Sequence, residues 1–139
     1  MSRFVLDNSV CAAWCFGDQR TSYTQAVLQD LAEFGGGAAP SLWPLELANA
    51  LVVAERRNRL TAEQREAFLA ESRKLDISVR PQDTERTLTK VLELARSQRL
   101  SAYDAAYLDL AIREGLPLAT KDVELERAAL ATGVQVFPT

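Results

Sequence analysis

Four carboxylates stand out in this 139-residue chain: Asp7 in LDNS, Glu46 in PLELANAL, Asp104 in SAYDAAYLDLAI and Asp122 in ATKD. Asp104 is the least expected, since no Lys or Arg lies three or four positions away to balance it on a helix. The chain contains no histidine, which excludes Ser-His-Asp hydrolysis, imidazole acid–base chemistry and the usual transition-metal ligands. Catalysis here would have to run on carboxylates, hydroxyls, amines or a hard metal ion.

Taken singly, each acid has a structural explanation. Asp7, with Asn8 and Ser9, could cap the helix containing Cys11 and Trp14. Glu46 lies in a first turn, where a negative charge suits the helix dipole by at most about 1 kcal/mol. However, Leu45, Leu47, Ala48, Ala50 and Leu51 surround it with apolar residues and suggest a buried helix, in which a Glu needs a partner. Asn49, one turn on, shares its face. Ser101 and Asp104 have capping-box spacing, and Asp122 stands where a cap is expected.

The elements that carry these residues alter that assessment. Phe4 to Leu6, Ala38 to Leu42, Ile77 to Val79, Pro117 to Thr120 and Val134 to Phe137 are short apolar runs typical of buried strands. Helical periodicity fills Thr21 to Phe34, Leu45 to Arg57, Ala62 to Lys74, Thr84 to Ser97, Ala102 to Glu114 and Val123 to Ala131. Thr61 reads as a helix start, and Gly115 and Gly133 as stops. This order predicts an α/β fold with a central parallel sheet of about five strands flanked by helices. Asp7, Glu46 and Asp122 follow strands and Asp104 opens a helix, so all four are expected at the carboxyl edge of the sheet, where open parallel sheets bind ligands. Ionised carboxylates a few ångströms apart repel by about 4 kcal/mol per pair at an effective dielectric of 20, so the cluster requires a cation. Oxygen donors without histidine favour Mg²⁺ or Mn²⁺, and the implied chemistry is phosphodiester hydrolysis.

Length and composition predict one domain over residues 1–139, with no repeat period and no membrane-spanning run. The N-terminus lacks the pattern of a secretory leader, and a cytoplasmic protein is expected. Cys11 and Cys15 lack further ligands for zinc and read as buried, reduced residues. The net charge of −3 is uneven: residues 55–99 carry +3 and the flanks −6. Arg56, Arg57, Arg59, Arg73, Lys74, Arg96 and Arg99 could guide an RNA backbone, although contacts with helix dipoles and ordinary solvation explain most of them equally well. Tyr103, Tyr107 and Trp43 could stack a base but read first as core or interface residues.

LDNSV from Leu6, LELANAL from Leu45, LSAYDAAYLDLA from Leu100 and LATKD from Leu118 together resemble the PIN-domain nucleases, most closely the VapC-type toxins of type II toxin–antitoxin systems. The resemblance runs from Arg3 to about Phe137. It implies a Mg²⁺- or Mn²⁺-dependent endoribonuclease, homodimeric and blocked by a cognate VapB-like antitoxin. Carried over by position, Asp7, Glu46, Asp104 and Asp122 match the family's acidic quartet, with Thr120, Ser9 and Asn49 as secondary site residues. Asp109 falls where relatives usually carry a small apolar residue and is expected on the solvated surface, outside the site. The competing expectation is a PIN-like domain that binds RNA or protein without cutting. A phosphate-handling receiver or phosphatase is disfavoured, because DNS after the first strand is not the DxD such chemistry would use.

Overall fold

The computed structural model describes residues 1–138. At its centre lies β1 (Phe4–Leu6), whose alternation sends Phe4 and Leu6 to one face of the sheet and Val5 to the other. Phe4 and Leu6 pack among Val10, Val27, Leu31, Leu47 and Leu51, while Val5 packs with Tyr107, Leu108, Leu118 and Leu125. Helices therefore cover both faces, and β1 is wholly buried. A continuous apolar run, without polar alternation, is what such a strand requires.

The chain proceeds through α1 (Asn8–Cys15), α2 (Ser22–Phe34), β2 (Gly37–Pro40), α3 (Trp43–Arg56), α4 (Ala62–Ser72) and β3 (Ile77–Arg80). After these come α5 (Thr84–Arg86), α6 (Leu92–Gln98), α7 (Ala102–Glu114), β4 (Leu118–Ala119) and α8 (Val123–Ala131). The four strands are all parallel, in the order β3-β2-β1-β4. Thr21 with Thr24 and Thr61 with Gln64 form reciprocal capping boxes that open α2 and α4. Gly115, at φ 66°, ends α7 in the left-handed conformation that glycine adopts without penalty. Among the described residues no helix is long and apolar enough to cross a membrane.

Three expectations are corrected. The run Val134 to Phe137 is not a fifth strand: it makes a single parallel bridge, Val136 to Leu118. Its partner β4 is only two residues long, and Pro138 follows with no N–H to extend a ladder. Stacking of Phe137 on Phe4, with ring centroids 4.0 Å apart, anchors the segment instead. The second correction concerns Thr84 to Ser97, where α5 passes through a π-helical turn, Thr87–Val91, before α6 begins. The Thr87 and Thr89 hydroxyls donate to the carbonyls of Asp83 and Glu85, competing with regular helical bonding there.

The third correction is that α3 is not apolar all round in its surroundings. Leu47, Leu51 and Ala54 form one buried stripe, whereas Leu45, Ala48, Asn49 and Val52 are exposed.

Candidate functional site

Asp7 leaves β1 at its carboxyl end and occupies the N-cap position of α1, yet its side chain caps nothing. Its Oδ2 instead accepts hydrogen bonds from Ser9 Oγ at 2.6 Å and Thr120 Oγ1 at 2.7 Å. Those hydroxyls are oriented in turn by backbone donors, with the Lys121 N–H reaching Ser9 Oγ and the Asp122 N–H reaching Thr120 Oγ1, each at 3.0 Å. The segment after β4 is thereby joined to the carboxyl end of β1, and Asp7 Oδ1 receives no hydrogen bond from the described residues. Burial pushes the Asp7 carboxyl above the usual range. The two hydroxyls pull it back, and the charges of Glu46 and Asp122 push it up again.

Glu46 sits in the first turn of α3 and is half-buried. Its partner is Tyr107, whose hydroxyl donates to Glu46 Oε1 at 2.6 Å. Burial raises the Glu46 carboxyl, Tyr107 opposes that shift, and nearby Asp104 adds to it. Tyr107 is fully buried, and its own ionisation is driven strongly upward by burial and by Glu46, so it remains a neutral donor. Tyr107 lies one turn beyond Asp104 on α7, a spacing that puts both on the same helical face. That spacing was the available signal for its role beside the acids.

At the start of α7, the Ser101 hydroxyl accepts from the Asp104 N–H at 3.1 Å, making half of the expected capping box. The reciprocal bond from the Ser101 N–H to the carboxylate is not made. Asp104 is raised by burial first, then by the charges of Asp7 and Asp122. Asp122 is a true cap: its Oδ1 accepts from the N–H groups of Glu124 and Leu125, at 2.9 and 3.2 Å.

The carboxyls of Asp7, Glu46 and Asp104 thus each feel the charge of at least one other acid, with Asp122 acting on Asp7 and Asp104, across β1, α3, α7 and the β4–α8 turn. The other expected residues divide: Ser9 and Thr120 are built into the cluster, whereas Asn49 is exposed on α3 and bonds to none of the acids. Among the described residues no three acidic or thiol side chains close into a ready-made metal cage. Mg²⁺ does not need one, being held commonly by one or two carboxylates and several waters. An all-oxygen donor set, mutually repelling carboxylates and an unengaged Asp7 Oδ1 fit a hard divalent cation.

Asp109 is not a solvated surface residue. It is 3% exposed and held bidentately by Arg86, with Arg86 Nε to Oδ2 at 2.9 Å and Nη2 to Oδ1 at 2.8 Å, while Arg113 lies 3.9 Å away. This pair ties α7 to the end of α5 and stands apart from the acids. Cys11 is buried and Cys15 only partly so, and both are free thiols. A cavity of about 810 Å³, lined in part by Trp14, Cys15, Phe16, Leu60 and Phe68, is bordered by none of the four acids.

Comparison with known proteins agrees with this architecture. No curated protein matches the chain. Among solved structures, PAE2754 from Pyrobaculum aerophilum is similar at 26% identity, with 91% of this chain and 86% of that one covered and a TM-score of 0.66. FitAcB from Neisseria gonorrhoeae, at 17% identity, 96% coverage of each chain and a TM-score of 0.65, shares the fold. A family model for the PIN domain matches residues 4–130. With its acids at the carboxyl edge of a parallel sheet, the chain belongs to the PIN domain family, whose members are generally nucleases.

Proposed function

We propose that this PIN domain is a Mg²⁺- or Mn²⁺-dependent endoribonuclease, a VapC-type toxin acting in the cytoplasm as a homodimer and neutralised by a cognate VapB-like antitoxin. The observation that carries the proposal is the convergence of Asp7, Glu46, Asp104 and Asp122 at one sheet edge, with the first three held above their usual ionisation range in part by one another. Asp7 and Asp104 would hold the ion, with Glu46 and Asp122 completing its surroundings. A bound divalent ion would supply a hydroxide from water near neutral pH and stabilise charge on the phosphate. Ser9 and Thr120 fix the Asp7 carboxylate through Oδ2 and leave Oδ1 for ligation. Tyr107 fixes Glu46, and the Asp122 cap bonds fix its Oδ1.

A second reading, a PIN domain that binds without cutting, draws on the capping bonds of Asp122, which already engage its Oδ1 within the fold. The two separate in a titration of Mg²⁺ or Mn²⁺ with total cellular RNA, wild type beside Asp104→Asn, followed by mapping of new RNA ends. Discrete metal-dependent cuts lost in the variant are expected. Identical RNA from both proteins, with metal binding established, would sink the nuclease and leave the non-cutting domain.

A further inference from the structure

Lys121 stands between Thr120 and Asp122, in the turn that joins β4 to α8. A lysine beside an acid cluster is expected to pair with one of its members. Among the described residues it makes no ion pair, and the charges acting on the Asp7 and Asp104 carboxyls are those of other acids. Its Nζ instead donates to the backbone carbonyl of Gln19 at 3.0 Å, while its own N–H donates to Ser9 Oγ at 3.0 Å. One residue thus reaches both Ser9, in the first turn of α1, and Gln19, past the end of that helix.

The Gln19 end is a fixed point. Gly17–Gln19 form a 3-10 turn, in which the Gln19 N–H donates to the Phe16 carbonyl at 2.9 Å. Both neighbours of Gln19 are fastened as well: Asp18 accepts from Arg59 at 2.7 Å, and the Arg20 guanidinium donates twice to the Trp14 carbonyl, at 3.1 and 2.6 Å. The Lys121 end has less support. β4 is two residues long, and its pairing with β1 ends at Ala119, whose carbonyl accepts from the Asp7 N–H at 3.0 Å. Beyond that point the turn is joined to Asp7 by the Ser9 and Thr120 hydroxyls and by the Lys121 and Asp122 N–H groups that orient them. Those bonds all lie inside the acid cluster. The Lys121 ammonium is the turn's attachment to ground outside it.

Resting on the metal-dependent reading of the acids, we infer that Lys121 is a positioning residue: by anchoring the turn 120–122 to the Gln19 carbonyl, it keeps the Thr120 hydroxyl on Asp7 Oδ2 and leaves Oδ1 for the cation. A charged donor on a partly buried carbonyl makes a stronger bond than a neutral one, so it suits an anchor. Bonds that orient a ligand from behind set how well that ligand holds its ion. Without the anchor the turn samples positions in which Thr120 leaves Asp7, and the carboxylate must then be ordered again as the ion binds.

The test is Mn²⁺ binding, read from the electron paramagnetic resonance signal of the free ion, for the wild type, Lys121→Met, Lys121→Arg, Thr120→Val and the double variant Thr120→Val with Lys121→Met. Urea midpoints in chelator establish each fold, and RNA cleavage is measured alongside. Lys121→Met should raise the Mn²⁺ dissociation constant about 5- to 10-fold and, without metal, speed amide exchange at Lys121 and Asp122. Lys121→Arg, which can still donate to Gln19, should bind close to the wild type. Thr120→Val should bind weakly, and adding Lys121→Met should weaken it little further, because residues acting through one another do not add. If this pattern appears while the wild type cuts no RNA, the nuclease reading fails and the positioning role stands. Equal Mn²⁺ binding by Lys121→Met and wild type, an additive loss in the double variant, or a loss that Lys121→Arg does not restore overturns the inference whether or not RNA is cut. Tighter binding by Lys121→Met also overturns it and makes the ammonium a competitor for the cation, and a wild type that binds no Mn²⁺ removes the inference together with the metal reading. Should Lys121→Met fail to fold, Lys121→Ala takes its place in each comparison.

Discussion

The Tyr107 hydroxyl donates to Glu46 Oε1 at 2.6 Å, linking the middle of α7 to the first turn of α3 and so two acid-bearing helices to each other. Glu46 is half-buried, and Tyr107 is the neutral donor that opposes the effect of its burial. Replacing Tyr107 with Phe keeps the ring in the core and deletes only the donor. A loss of about 1 kcal/mol in unfolding free energy is expected, because water can reach part of the carboxylate and replace the bond. Glu46 should then titrate higher than in the wild type, moving the acid limb of the cleavage pH profile upward. Denaturant unfolding and a pH–rate profile test both.

Raised carboxyl ionisation has a definite sign for stability. Asp7, Glu46 and Asp104 all titrate above their usual values in the fold, so their protonated forms are the ones the native state favours. Their contribution is fully present below the ordinary carboxyl range, about pH 4, and is lost as pH rises through the shifted values. Without metal, Asp104→Asn should therefore match the wild type near pH 3 and become progressively more stable than it as pH rises toward neutrality. Urea midpoints across that range for both proteins check this, and a constant difference would show that neither burial nor the neighbouring acids raise the Asp104 carboxyl.

Metal should cancel that repulsion. Adding Mg²⁺ or Mn²⁺ at about 100 times its dissociation constant is expected to stabilise the wild type by about 2.7 kcal/mol, with chelator reversing the gain and stopping cleavage. Asp7→Asn and Asp104→Asn should lose most of the increment. Thermal unfolding with and without chelator reads it directly.

The Asp109–Arg86 pair should behave as structure alone. Arg86→Met leaves a 3%-exposed carboxylate with only the longer Arg113 contact, and a loss of about 2 kcal/mol is expected, discounted from the fully buried case because Arg86 is partly exposed. Arg86→Met with Asp109→Leu should recover much of it. Metal-dependent cleavage per folded molecule should not change in either variant. Chemical unfolding and single-turnover cleavage separate the two effects.

How far these features could be read in advance depends on the range of the interaction that creates each one. The β1 run, the Thr61 start and the Gly115 stop are local patterns, and they appear as expected. The gathering of acids at one edge was legible too, because parallel topology dictates where strand ends lie. Asp7 was harder: its neighbours suggest a cap, but Thr120, 113 positions away, competes for the carboxylate and helps turn it from α1. Asp109 was misread for a similar reason. Arg113, one turn on, hinted at a partner, but the decisive Arg86 lies 23 positions back on another helix. The missing fifth strand reflects the two-residue β4, whose brevity no pattern in residues 134–137 could reveal.

β1 stands between β2 and β4, so Val5 is paired on one side with Ala38 and on the other with Leu118. A growing polypeptide can form the first pairing early, but the second must wait until Leu118 and Ala119 have been made. The same late segment brings Thr120 to Asp7 and supplies Asp122. If the acids do cut RNA, the ribosome making this protein holds a chain without a finished cutting site until the last strand has emerged. Assembly order alone would then delay the activity until the segment carrying Thr120 and Asp122 has joined β1.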